Sequence, residues 1–85
     1  MDVGVIGVGV MGRNHARIYS ELKQVDSLWI TDLNTKAATD VAKANDGQVA
    51  PTIDVLLENV DAVSICVPTQ FHHDVARKAF SVGRS

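Results

Sequence analysis

The sequence predicts an α/β fold built on a parallel sheet, and three observations predict it. Short apolar runs alternate with stretches of helical periodicity four times along the 85 residues, the alternation of strand-helix-strand units. The first run leads into "GVGVMG", a glycine-rich turn at the opening of a helix. The later runs close on Asp-Leu-Asn or on Pro-Thr, residues that end a strand and cap the helix after it.

Residues 3 to 8, "VGVIGV", form a short apolar run of the kind buried on both faces, the first strand. Beyond it Met11, His15, Ile18, Leu22 and Val25 recur at steps of four and three. That spacing puts them on one helical stripe facing the sheet, with Arg13, Arg17 and Glu21 turned outward. "SLWIT" at 27 to 31, rich in large and β-branched residues, predicts a second strand that stops at Asp32. Asn34 can cap a second helix with a narrow apolar face of Ala37, Ala38, Val41 and Ala42, which Asp46-Gly47 ends.

"QVA" at 48 to 50 allows only a brief edge strand, because Pro51 lacks a ladder donor, and Thr52 is a candidate N-cap for "IDVLLEN". "DAVSICV" at 61 to 67 is the longest strand candidate, and Pro68 ends it. Residues 69 to 82 return to helical spacing, with His72, Val75, Ala76, Ala79 and Phe80 on one face, and Gly83 stops the helix. Right-handed crossovers between such units give a four-stranded parallel sheet in the order 3-2-1-4 with helices on both faces, half of a Rossmann-like fold in a single domain over 1 to 85.

Composition narrows the function. A chain of 85 residues with 46% hydrophobic and 21% charged residues is that of a globular unit with a thin core. Net charge is -2 with no run of Lys or Arg, so nucleic acid and anionic membrane are not expected partners. No apolar run approaches a membrane span and no signal peptide is evident at the start, so the cytosol is the expected compartment. The single cysteine, Cys66, lies inside the apolar run "AVSICVP" and reads as a buried, inert thiol. One cysteine excludes disulfide and Cys-rich metal frameworks, and no metal is expected.

The chemistry lies in the first turn. "GVGVMG", Gly7 to Gly12, is G-x-G-x-x-G between a strand and a helix. Gly7 permits the tight turn, Gly9 leaves room for a pyrophosphate, and Gly12 lets helix approach strand. The amides near Val10 and Met11 then face the anion with the positive end of the helix dipole behind them. Asp32 lies twenty residues past Gly12, where an acid accepts hydrogen bonds from the adenosine ribose hydroxyls. Leu33 beside it is grouped with the cofactor-facing residues. The plainer reading of Asp32 is a helix-capping acid. A carboxylate here repels a 2′-phosphate and no Arg follows in "DLNTK", so NAD is favoured over NADP, with Lys36 softening the preference. Across the crevice at the switch in strand order, Val67, Pro68, Thr69 and His72 face the nicotinamide half.

Together, "VGVIGVGVMGRNHARIY", the "TD" ending the second strand and "AVSICVPTQFHHDVARKAFSVG" resemble the N-terminal domain of the Gfo/Idh/MocA oxidoreductases, the glucose-fructose oxidoreductase and inositol dehydrogenase family. The most specific part is Val67-Pro68-Thr69 followed by His72, Ala76, Ala79 and Gly83. The resemblance implies NAD(P)-dependent oxidation or reduction of a sugar, cyclitol or related alcohol. It places His72 near the cofactor, a role that stands beside N-terminal capping of its helix. His15 matches a frequent family histidine, and its place on the stripe favours helix-sheet packing. His73 is expected to be solvated.

The resemblance also implies a further strand bearing Glu-Lys-Pro, with the catalytic lysine, and a second α/β domain holding the substrate pocket. Neither occurs in these 85 residues, so the chain is expected to be inactive alone and to carry no catalytic residue. A separate catalytic chain would complete it. Strand four, at 61 to 67, is expected to present an apolar edge through which copies self-associate. The alternatives are a non-catalytic NAD-sensing or interaction module and a purely structural oligomer.

Overall fold

The structure is a computed structural model and describes residues 1–67. Its elements run β1 (Asp2–Ile6), α1 (Val10–Glu21), β2 (Ser27–Thr31), α2 (Thr35–Ala44), β3 (Gln48–Val49), α3 (Ile53–Asn59) and β4 (Ala62–Ile65). The four strands form one sheet in the order β3-β2-β1-β4, all parallel, as expected. Val5 of β1 sits opposite Ile30 of β2 on one side and Ser64 of β4 on the other. The last helix expected from the sequence, 69 to 82, lies outside the described residues.

Alternation along the strands divides the core in two. Val5, Leu28 and Ile30 pack with Val8, Ala16, Ala38, Val41 and Ala42 under α1 and α2. Ile6, Leu56, Leu57, Ala50 and Val60 form the other layer under α3, with Trp29, Val63 and Ile65 against it. Helices therefore cover both faces, and the central strands are buried on both, which is why they read as unbroken apolar runs.

Local chemistry sets the helix starts. Asn34 caps α2 by accepting from the Ala37 amide at 3.1 Å, and Thr52 caps α3 by accepting from the Val55 amide at 3.1 Å. After α2 the left-handed residue is Asp46, at φ 54°, and the Gly47 amide returns to the Ala42 carbonyl at 2.7 Å. The stop falls on the expected pair, with the strained conformation on its acid.

Helix α1 departs from the expected stripe. It buries Gly12 and Ala16, with His15 and Tyr19 half-buried, while Met11, Ile18 and Leu22 are exposed. Gly12 and Ala16 meet the sheet where the helix lies closest to the strands, with no room there for long side chains, and farther along Tyr19 packs against the same core. Strand β4 is also shorter than the run 61–67. Its partner β1 ends at Ile6, so Cys66 makes one last bond, from its amide to the Ile6 carbonyl at 2.7 Å, and the ladder stops. Ser64, the one hydroxyl in that run, is paired with the Tyr19 hydroxyl across the α1 interface.

On the opposite face Leu56 is fully buried, and a methyl added to Gly4 would lie 2.5 Å from its Cδ2. Leu56→Ala is expected to cost about 2–5 kcal/mol, and Gly4→Ala about 1–3 kcal/mol by overpacking. The double variant should be less destabilised than the sum, because the new methyl occupies part of the vacated space. Urea unfolding of the four proteins measures this coupling, and strict additivity would contradict the contact.

Candidate dinucleotide site

The candidate site lies at the carboxyl ends of β1 and β4, where the strand order reverses, the crevice at which open α/β sheets bind ligands. Its floor is the β1–α1 turn. Gly7 has φ +94°, and a side chain there would lie 2.7 Å from the Cys66 carbonyl oxygen, so backbone angle and space both require glycine. Gly12 is held more tightly still, since a Cβ at residue 12 would stand 1.9 Å from the Gly7 carbonyl oxygen and 3.5 Å from the Cys66 Cβ. Helix α1 rests directly on the turn that precedes it.

Gly9 differs from both. A Cβ there would meet nothing within 4 Å, so the space above it is open. Gly9 is the N-cap of α1 and offers no side-chain cap, and the first turn holds no acid. The N–H groups of that turn have no helical partner. Helices α2 and α3 both carry side-chain caps, so among the described helices α1, which faces the crevice, is the one without a side-chain cap. Val10, 83% exposed, and the exposed Met11 lie in its first turn.

Asp32 is half-buried at the end of β2. Its Oδ2 accepts from the Val8 amide at 2.8 Å and its Oδ1 from the Asn34 amide at 2.8 Å. Beside this pair the Gly7 amide donates to the Thr31 carbonyl at 2.9 Å. The carboxylate thus ties the glycine turn to the end of β2. Asp32 does not cap α2 through the helix's own donors; Asn34 does. Each carboxylate oxygen retains acceptor capacity beyond its backbone bond, which is what a ribose diol requires. Leu33, next along, is 98% exposed, an apolar surface beside the carboxylate with no packing role of its own.

On the far side Val67 is half-buried and packs with the α3-face core, and its Cγ1 would be 3.2 Å from a Cβ at Gly7. Of the other residues expected there, Pro68, Thr69 and His72 lie outside the described residues. Cys66 is half-buried beneath the turn, and desolvation raises its thiol pKa above the ordinary range, which opposes thiolate chemistry at neutral pH. The His15 ring lies 6.0 Å from that of Tyr19, within the helix. No group of three or more His, Cys, Asp and Glu among the described residues is arranged to hold a metal, and no described helix is long and apolar enough to cross a membrane. The Asp32 clamp and the Tyr19–Ser64 pair went unread in the sequence, although a lone serine in an apolar strand already signals the need for a partner.

The parallel 3-2-1-4 sheet, the glycine turn and the uncapped helix beside an acid define a dinucleotide-binding Rossmann domain. Residues 1–85 match the family described as the oxidoreductase family with an NAD-binding Rossmann fold, Gfo/Idh/MocA, and the chain belongs to it. It is 42% identical over 83 residues to the UDP-N-acetylglucosamine 3-dehydrogenase of Acidithiobacillus ferrooxidans, a match covering 98% of this chain and 26% of the relative. It is 31% identical over 84 residues to the inositol 2-dehydrogenase of Rhizobium meliloti, covering 96% of this chain and 25% of that protein. Among solved structures, GenD2 from gentamicin A biosynthesis in complex with NAD superposes with a TM-score of 0.92 at 30% identity, over 100% of this chain and 25% of that one. The chain therefore spans about a quarter of the length of the relatives it matches.

The three glycines separate folding from binding. Gly12→Ala is expected to lower stability by more than about 2 kcal/mol, since backbone must move to admit the methyl. Gly9→Ala should leave the thermal midpoint within a few degrees and weaken dinucleotide affinity, because its methyl projects into the open space. Thermal unfolding with calorimetric titration of both variants checks this, and equal effects on stability would refute the distinction.

Proposed function

We propose that this chain is the NAD-binding portion of a dehydrogenase acting on a sugar, a cyclitol or a related alcohol. The observation that carries the proposal is the N-terminus of α1. It is uncapped and free of acids, and it opens at Gly9 toward a crevice rimmed by the Asp32 carboxylate. The relatives' names support the substrate class, and the NAD complex of GenD2 supports the cofactor.

In this reading the amides of Val10, Met11 and Gly12 hold the pyrophosphate. The close approach of helix and turn aims them, and the helix dipole assists. Asp32 accepts from the adenosine ribose hydroxyls and disfavours a phosphate at the 2′ position, so NAD is the proposed cofactor. Leu33 offers the adenine an apolar surface. Val67, Pro68, Thr69 and His72 are proposed to line the nicotinamide half. The bound cofactor supplies hydride transfer, and the residues of this chain bind and orient it. None of the described residues is proposed as the base that takes the substrate's hydroxyl proton, which requires a positioned group of suitable pKa.

A second copy of the chain is proposed to pair with β4, which among the described residues is bonded only to β1 and is half-buried throughout. The cytosol is the proposed compartment.

Calorimetric titration of the full chain with NADH is expected to show binding that weakens about tenfold or more in Asp32→Ala, the loss of charge-assisted hydrogen bonds. The chain alone should release no NADH from NAD and an alcohol substrate. Absence of binding at millimolar cofactor would overturn the proposal. Sedimentation velocity at micromolar concentration is expected to show a dimer, and a monodisperse folded monomer would remove the β4 pairing.

A further inference from the structure

Helix α1 has two unlike flanks. On one side Arg13, Arg17, Ser20 and Glu21 line the open groove toward α2, and they include every Arg, Lys, Asp and Glu of the helix. On the other side Met11, Ile18 and Leu22 share a stripe with the half-buried His15 and stand 64%, 46% and 43% exposed. Tyr19 leans the same way, since its hydroxyl pairs with Ser64 of β4. The stripe therefore overlooks β4, whose half-buried Ser64 sits opposite Val5 on the α1 side of the sheet. A contiguous apolar surface without charges is the composition of an interface core, not of a solvated helix face.

The edge of β4 needs such a surface beside it. The strand is 4 residues long, a ladder of about 13 Å. Pairing two such edges covers far less than the roughly 800 Å² per partner that a stable interface buries, so a dimer held through β4 requires further contact. Pairing an edge with its own copy is antiparallel about a two-fold axis, which places α1 of each copy on the same face of one continuous sheet. Helix α1 packs against β1, β2 and β4, and β1 would stand three strand spacings, about 14 Å, from its counterpart. Helices with their side chains are about 10–12 Å across, which leaves the two stripes facing each other over β4 with space for large side chains between them.

We infer that the Met11, Ile18 and Leu22 flank of α1 is a docking surface for the same flank of a second copy, the two helices lying antiparallel with Ile18 beside the two-fold axis. The inference rests on the β4 pairing proposed above and supplies the contact that the pairing lacks. The level of the axis follows from the Tyr19–Ser64 bond. The midpoint of β4 falls between Val63 and Ser64, and the bond brings Tyr19, and with it the neighbouring Ile18, to that level. Ile18 then meets its own counterpart, and Leu22 of each copy meets His15 of the other. The polar flank of α1, toward α2, stays in solvent.

Sedimentation velocity of the full chain tests this in the wild type, Ile18→Glu, Ile18→Lys and the neutral Ile18→Gln, with far-UV circular dichroism to confirm folding. Ile18→Glu and Ile18→Lys each place two like charges at the axis, and each is expected to weaken the dimer about tenfold or more. An equimolar mixture of the two should recover a dimer that neither forms alone, a result that a folding defect cannot produce. Ile18→Gln should weaken the dimer less than either charged variant, with no gain on mixing. A wild-type dimer that tolerates all three substitutions overturns the inference and leaves the β4 pairing standing. Folded variants that lose the dimer without recovering it as a mixture also overturn it, because the stripe then does not face itself. A wild-type monomer overturns the β4 pairing and the inference together.

Discussion

The contact between residue 12 and the carbonyl of residue 7 governs the rest of the molecule. With hydrogen in place of a methyl, α1 settles onto the turn that produced it; with any side chain the same position would stand 1.9 Å from the Gly7 oxygen. That approach continues one turn later, where Ala16 is fully buried. A helix held this low points its first turn into the crevice between β1 and β4. It leaves no depth for Met11, Ile18 or Leu22, which are displaced outward. Packing and site geometry are two results of one short distance.

This accounts for what the sequence made legible and what it did not. Helix starts at Asn34 and Thr52 were readable because a cap is a bond to a neighbour three residues away, decided locally. The sheet order was readable because connection handedness leaves few arrangements. The docking face of α1 was misread because apolar periodicity identifies the largest hydrophobic stripe, whereas at its closest approach to the sheet the helix admits only Gly12 and Ala16, with Tyr19 one turn on. The end of β4 was misread for another reason. A strand extends only as far as its partner, and β1 turns away at Gly7 whatever the apolar content of 61–67.

The site shows the same division. The glycine spacing and Asp32 are sequence features with a known geometry, and their positions followed from it. The bond from the Val8 amide to Asp32 did not, because it joins two loops that only the sheet brings together. Val8 and Asp32 are 24 residues apart, and nothing in either segment names the other. The readable part of the site is what one turn requires, and the rest is what neighbouring turns do to each other.

The double attachment of Asp32 reaches beyond binding, into how such a chain can change over generations. A residue that only contacted the ribose could be exchanged freely as cofactor supply shifted. Asp32 closes the glycine turn against β2, through bonds to Val8 and Asn34 made by two different oxygens, where an amide of the same size offers one oxygen acceptor. Drift at position 32 therefore passes first through a loosened loop, and selectivity is easier to alter from positions that carry no such attachment. The acid is kept in place by the architecture whatever the crevice holds.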